Sequence, residues 1–370
     1  MRVLLAGYAA DRYISQHRHI AKTIEQKVLQ MNKAPTIAHD NAPSLTPLVT
    51  LLADDMEQVN AQIVARMASD VPLVPELAGH LIAAGGKRLR PLLTLAGARL
   101  AGGSPHAIGL ATAVEFIHSA TLLHDDVIDE SKLRRGHDTA NALWGNDASV
   151  LVGDFLFARA FELMVETDSL SVLGRLSNAS ARITEGEIKQ MTIAGVADTP
   201  AADYLDVIRN KTAILFAAAI AAGAEVAGAE KTVIEATHDY GLQLGMACRI
   251  MDDAMAYSQS SAAMGKNSGD DFLDQKITLP IILAYGDGDD AERNFWHKTM
   301  RDGDFADGDF DKAHSILQRH NAIERSIAEA VTYASAAEAT MQRIAEQSKA
   351  DPALLEALCE AARFAAHRQT

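Results

Sequence analysis

From Leu45 to the C-terminus, apolar residues recur every three or four positions with polar residues between them, the spacing that gives a helix one buried face. That pattern predicts helices over Thr46–Met67, Pro75–Ala84 and Pro91–Leu100, the last two with proline in the first turn, where its missing N–H costs nothing. A long buried helix over His106–Glu130 comes next. Further helices are predicted over Ala148–Val165, Ser171–Ile193, Ala201–Ala227, Lys231–Tyr257, Leu279–Tyr285, Ala291–Arg301, Asp311–Glu346 with breaks, and Pro352–His367. β-Branched runs are short, alanine is abundant and no unit repeats at a fixed period, so the chain reads as all-α.

Hydrophobic residues make up 48% of 370 positions, ample for one large helical core from Leu45 to Thr370. Residues 1–44 differ in character. They carry Arg2, Arg12, Arg18, Lys22, Lys27 and Lys33 with few acids, and Ala38–Ser44 reads as a linker, so a loosely attached N-terminal extension is expected there. Its apolar start is interrupted too early for a secretory signal. A formal net charge of −15 argues against nucleic acid or an anionic membrane surface as partner, since both reward basic patches. Cys248 and Cys359 are too few for a disulfide framework, and a cytoplasmic location is expected. The longest strongly apolar stretch, Ile214–Ala224, is too short to cross a bilayer, leaving at most transient membrane contact.

The candidate chemistry begins at Leu122–Gly136, LLHDDVIDESKLRRG. On a helix Asp125 and Asp129 stand one turn apart and face the same way, with Asp126 beside them. Hard carboxylate oxygens suit Mg²⁺, which completes its shell with water and phosphate. Arg134 and Arg135 follow, and guanidinium forks match phosphate oxygens. A solvated charged helix end is the plain alternative, but the apolar flanks Ile117, Leu122, Leu123, Val127 and Ile128 argue for burial. More than one hundred residues on, Ile250–Tyr257 (IMDDAMAY) again places two acids, Asp252 and Asp253, after an apolar helical run. If it faces the first acidic turn across a bundle interior, the two would clamp a metal-bound diphosphate.

Cations lie in local groups. GGKRLRP offers Lys87 and Arg90 beside a glycine pair and a helix start, a phosphate cradle by charge and by free backbone donors. Lys211 and Thr212 open an alanine-rich helix, Lys266 and Lys276 flank GDDFLDQK, and His118 lies two turns before Asp125. Singly, each is more often a surface lysine or a satisfied core histidine. GDGDD at 286–290 and DGDFADGDFD at 302–311 lack the glycine and acid spacing of a calcium loop and read as helix connections. Asp54 and Asp55 read as surface residues.

Taken together, GGKRLRP, EFIHSATLLHDDVIDESKLRRG, LVGDFLFARAF, EGEIKQM, KTAILF and GKNSGDDFLDQKITLP resemble, in order and spacing, the trans-isoprenyl diphosphate synthase (polyprenyl synthetase) family. The resemblance runs from about Leu45 to the C-terminus and looks nearest to the bacterial octaprenyl and decaprenyl group. It implies the all-helical isoprenoid synthase bundle with a central active-site cavity, a homodimer, and Mg²⁺ as cofactor, three ions to a site. By that similarity Asp125, Asp126 and Asp129 would bind metal and Asp252 and Asp253 would form the second aspartate motif. Arg134, Lys211, Thr212 and Lys276, with Lys266, would hold the allylic diphosphate. Arg135, Lys87, Arg90 and His118 would hold isopentenyl diphosphate.

The chain departs from the family at Ala256, where a third aspartate is common, and at Cys248 and Arg249, which replace a Phe-Gln pair; Arg249 could supply charge to the diphosphate. Such losses leave open a weakly active or noncatalytic subunit of a heteromer. A shorter-chain synthase is a further alternative. A terpene cyclase would handle one diphosphate and have no use for the second cationic set. Ile117, Ala120 and Thr121 should line the product tunnel, and with no aromatic floor there the cavity is expected to be deep, favouring a long product; the resemblance to the octaprenyl and decaprenyl group implies that this product serves the ubiquinone side chain.

Overall fold

The computed structural model describes residues 42–83, 86–134, 136–257, 269–347 and 350–367. Nearly all of the expected extension, with Arg135 and Lys266, lies outside the described residues. Ser44, the last residue assigned to that extension, already donates its backbone N–H to Glu360 Oε1 at 3.0 Å.

The helices are α1 Thr46–Leu51, α2 Ala53–Arg66, α3 Leu73–Ala83, α4 Leu89–Leu100, α5 Ala107–Ile128, α6 Ala140–Trp144, α7 Asn146–Val165, α8 Leu170–Ile193, α9 Ala201–Ile208, α10 Ile214–Val226, α11 Lys231–Met255, α12 Asp270–Leu273, α13 Leu279–Asp287, α14 Asp290–Trp296, α15 Asp309–Arg319, α16 Ala322–Gln347 and α17 Pro352–Ala366. Side-chain caps close a few of the helix starts. Asp289 and Glu292 form a reciprocal capping box on α14, and Asp351 with Pro352 opens α17. Asp309 accepts from the Ala306 N–H and pairs with Lys298, so both acidic connections act as caps and loop ties. Asp55 pairs with Arg99 across α2 and α4.

α10 sits at the centre, packed against α4, α8, α11 and α5, while α5 packs on α7 and α11 on α16. Small residues permit this closeness. A Cβ at Gly97 would lie 2.0 Å from the Ile220 carbonyl oxygen, and one at Gly223 would lie 2.0 Å from that of Thr94. The backbones of α4 and α10 therefore touch with no side-chain layer between them. Arg90 meets Phe216 and Gly97 meets Ile220, so the two helices run in the same direction. A second, more aromatic core of Trp296, Tyr204, Tyr257 and Phe272 fills the end of the bundle bounded by α9, the end of α11, and α13 to α15. Ala107–Ile128 and the continuous run Ala201–Val226 are long and apolar enough to cross a bilayer by length and composition alone, but both are mostly buried in the bundle, as core helices are.

The predicted boundaries need four corrections. Thr46–Met67 breaks at Leu52. Ala201–Ala227 is interrupted by a π-helical turn, Arg209–Ala213. There α8 presses in through Gly186, whose added Cβ would meet the Lys211 nitrogen at 2.6 Å, and the Asn210 side chain donates to the Asp206 carbonyl oxygen at 3.0 Å. Another π turn, His297–Arg301, ends the segment expected as Ala291–Arg301. Finally, a two-stranded antiparallel hairpin, β1 Leu133–Arg134 and β2 His137–Asp138, turns at Gly136 with Leu133 opposite Asp138. Strands of two polar-flanked residues carry no alternation for a sequence to display.

Candidate active site

α5 delivers Asp125 in its last turn and Asp129 at its C-cap. The Asp129 N–H donates to the Asp125 carbonyl at 2.8 Å, so the two carboxylates stand one turn apart, as their spacing predicts. They also meet the negative end of the helix dipole. Burial above all, reinforced by Glu187 and Asp129 and opposed by Lys211 and Arg134, pushes the Asp125 carboxyl from 3.8 up to about 6.

Two lysines bridge this turn to other helices. Lys211, in the π turn, places Nζ 2.5 Å from Glu187 Oε2 and 3.8 Å from Asp125 Oδ2. Lys276 lies 3.3 Å from Asp129, 3.0 Å from Asp274 and 3.8 Å from Asp271. Burial works against its charge, but Asp129, Asp271 and Asp274 together hold Lys276 above the usual lysine range. Asp271 in turn acts electrostatically on Asp253 and Arg249 at the end of α11. Asp271, which contacts Lys276, thus links the two acidic segments electrostatically.

The two acids of the second segment differ. Asp252 is exposed, whereas Asp253 is buried, with Oδ2 accepting from the Tyr204 hydroxyl at 2.7 Å and Oδ1 paired with Arg249 Nη2 at 2.9 Å. Burial raises the Asp253 carboxyl and Arg249 opposes the rise. Asp126 is likewise committed. Its buried carboxylate takes a fork from Arg134, Nε to Oδ1 at 2.9 Å and Nη2 to Oδ1 at 2.6 Å, which ties the hairpin to α5. Thr139 and Asn141 fix the same hairpin through the carbonyls of Ser131 and Asp126. In this structure neither Asp126 nor Asp253 offers the site an uncommitted carboxylate.

Asp125, Asp129, Glu187 and Asp271 set four carboxylates against two lysines, an excess of hard oxygen donors that fits divalent magnesium. Among the described residues no three acid, histidine or cysteine side chains converge on one point. A cation held here would share its shell with water and phosphate oxygens, as Mg²⁺ ordinarily does.

The remaining predicted residues have contacts of their own. Lys87 Nζ stands 4.7 Å from the Phe364 ring centroid, and the Arg90 guanidinium carbon lies 4.5 Å over Phe216. His118 and Thr212 are half-buried. Ile117 and Ala120 are completely buried in the main core, with no water-accessible surface, and Thr121 bonds the His118 carbonyl oxygen at 2.8 Å. The expected deep cavity is therefore not open space beside Ile117 and Ala120, because neighbouring helices close on these side chains. Cavities of about 480 Å³ and 500 Å³ open elsewhere, against Gln62, His106 and Thr167 and against Met341 and Cys359.

Sequence reasoning missed Glu187, Asp271, Tyr204 and the Arg88–Glu115 pair at 3.2 Å, which braces the GGKRLRP loop to α5. Glu187 alone carried a signal. It continues the buried stripe Val172, Leu176, Ala179 and Ile183, and an acid on an apolar stripe calls for a partner.

A sequence model of the polyprenyl synthetase family matches residues 71–317. The octaprenyl diphosphate synthase of Haemophilus influenzae is 41% identical over 283 residues, 76% of this chain and 85% of that protein. The crystal structure of a decaprenyl diphosphate synthase from Rhodobacter capsulatus superposes with a TM-score of 0.83 at 46% identity, covering 87% of this chain and 98% of that one. A polyprenyl synthase from Caulobacter crescentus CB15, complexed with calcium and isoprenyl diphosphate, gives a TM-score of 0.84 at 47% identity over 90% of this chain and all of the other.

Proposed function

Since the chain belongs to the polyprenyl synthetase family and is a long-chain trans-prenyl diphosphate synthase, we propose that it extends farnesyl or a similar allylic diphosphate with isopentenyl diphosphate units, in a Mg²⁺-dependent reaction, to an octaprenyl or decaprenyl product for the ubiquinone side chain. The observation that carries this reading is the pair of lysine bridges, Asp125–Lys211–Glu187 and Asp129–Lys276–Asp271, which gather carboxylates and cations at the C-terminal end of α5.

Magnesium held by Asp125, Asp129 and Asp252 would neutralise the charge that grows on the departing diphosphate. Lys211 and Lys276 supply donors already oriented toward that charge, and Arg134 is held at its edge by Asp126. Lys87, Arg90 and His118, with Arg135, are assigned to isopentenyl diphosphate, whose double bond attacks C1 of the allylic cation left when the C–O bond of the primer breaks. The proton lost from isopentenyl C2 passes to the released diphosphate. The apolar core, in which Phe116 and Phe216 are buried, would exclude water, which would otherwise quench the allylic cation. Ile117, Ala120 and Thr121 are assigned to product length, with the lipid moving neighbouring side chains apart as it grows.

We assign the protein to the cytoplasm. We further infer a homodimer, because α7 exposes Leu151, Phe161 and Val165 on one stripe and α8 exposes Ile188 and Met191. A second reading, a weakly active subunit of a heteromer, is favoured by one observation: Asp253 is consumed by Arg249 and Tyr204, and Ala256 brings no carboxylate. The deciding experiment incubates the purified protein with farnesyl diphosphate, labelled isopentenyl diphosphate and Mg²⁺ and sizes the lipid. A ladder ending at a C40 to C50 product supports the first reading, and no turnover supports the second.

A further inference from the structure

The side chain of Arg249 remains 31% exposed although its partner Asp253 is only 1% exposed. The carboxylate is sealed, with one oxygen on the Tyr204 hydroxyl at 2.7 Å and the other on Arg249 Nη2 at 2.9 Å. Tyr204 is itself buried, so the arginine is anchored on a dry base and turns the rest of its fork outward. A guanidinium has five donors in one plane, and a single pairing with Asp253 leaves others to face the accessible side. On α11, Arg249 lies one turn before both Asp252 and Asp253, and Asp252 is exposed. The next turn of that face carries Ala256, which has no charge to give or to bind. Asp252 and Asp271 both raise the affinity of Arg249 for its proton, and Asp271 contacts Lys276, which reaches Asp129. Arg249 therefore belongs to the same electrostatic cluster as the first acidic turn.

We propose that Arg249, anchored by Asp253 and Tyr204, is a direct ligand of the substrate diphosphate, a fixed protein cation doing on this wall what a further carboxylate-bound metal ion would do. The inference rests on the proposed diphosphate site. It makes diphosphate binding less dependent on Mg²⁺ than a second segment with three free carboxylates would. Asp253 is then a positioning residue, not a metal ligand.

The test is calorimetric titration of the full-length protein with inorganic pyrophosphate across a Mg²⁺ series, with a melting curve for each variant. Arg249→Gln should weaken pyrophosphate binding about tenfold or more at fixed Mg²⁺, the usual worth of a charge-assisted contact. Adding Ala256→Asp to that variant should recover affinity and steepen the dependence on Mg²⁺ by about one ion. Arg249→Lys keeps the pairing with Asp253 but loses the fork, so it should fold like the wild type and bind pyrophosphate measurably more weakly. Wild-type affinity and Mg²⁺ dependence in folded Arg249→Lys and Arg249→Gln would overturn the inference while leaving the proposed function standing. Failure of the wild type itself to bind pyrophosphate with Mg²⁺ would overturn both.

Discussion

Asp125→Asn separates what the acidic turn costs the fold from what it contributes to catalysis. Asp125 is 19% exposed at its side chain, and its carboxyl is raised from 3.8 to about 6, chiefly by burial. At roughly 1.4 kcal/mol for each tenfold change in proton affinity, its ionised form costs the metal-free fold about 3 kcal/mol at neutral pH. The sign follows from proton uptake. The native state binds the proton more tightly than the unfolded chain, so this stability is fully present below about pH 4 and is lost as pH rises to about 6. Asparagine keeps the shape and never ionises, while Lys211 retains Glu187 at 2.5 Å. In EDTA at pH 7.5 the variant should melt about 4 °C above the wild type, given the entropy of unfolding of a chain this size. At pH 4 the difference should vanish. Adding Mg²⁺ and pyrophosphate should reverse the order, since only the wild type gains a ligand. A variant that melts at or below the wild type in EDTA at pH 7.5 would refute the reasoning.

Gly186→Ala places a Cβ 2.6 Å from the Lys211 backbone nitrogen, so it should displace the π turn and cut turnover at least about tenfold with a lowered melting temperature; steady-state kinetics and calorimetry check it. Ala120→Phe should shorten the lipid product and destabilise the fold by about 1–3 kcal/mol, because Ala120 has no surrounding space; chromatographic sizing and a denaturant titration read the two effects. Phe161→Glu puts a charge in the exposed α7 stripe and should shift the mass in light scattering from dimer to monomer while leaving helical content unchanged.

Helix positions were legible because an apolar stripe is a periodic signal, and the acidic turn because Asp125 and Asp129 share a face on any helix. What the sequence hid was commitment. Asp125 and Asp126 are adjacent acids of the same type, yet one is bridged to a lysine of a distant turn and the other is locked by Arg134. Asp252 and Asp253 diverge in the same way, since a rotation of one residue moves a side chain from the open face of α11 to the Tyr204 side. The π turn that carries Lys211 was illegible as well, because it accompanies the approach of α8 through Gly186, a contact from outside its own segment. The hairpin at Leu133–Asp138 is held by side chains of Thr139 and Asn141, whose role depends on where α5 ends.

The main-chain contact between α4 and α10 sets a gauge inside the enzyme. Arg90 sits in the first turn of α4, and Lys211 lies just ahead of α10 at the same end. With peptide groups touching at Gly97 and Gly223, the spacing of the two helix axes that carry these cations is set by backbone contact and not by the sizes of intervening side chains. Substitutions elsewhere in the core, bulky for small or the reverse, should therefore leave the spacing of these two helix starts unchanged.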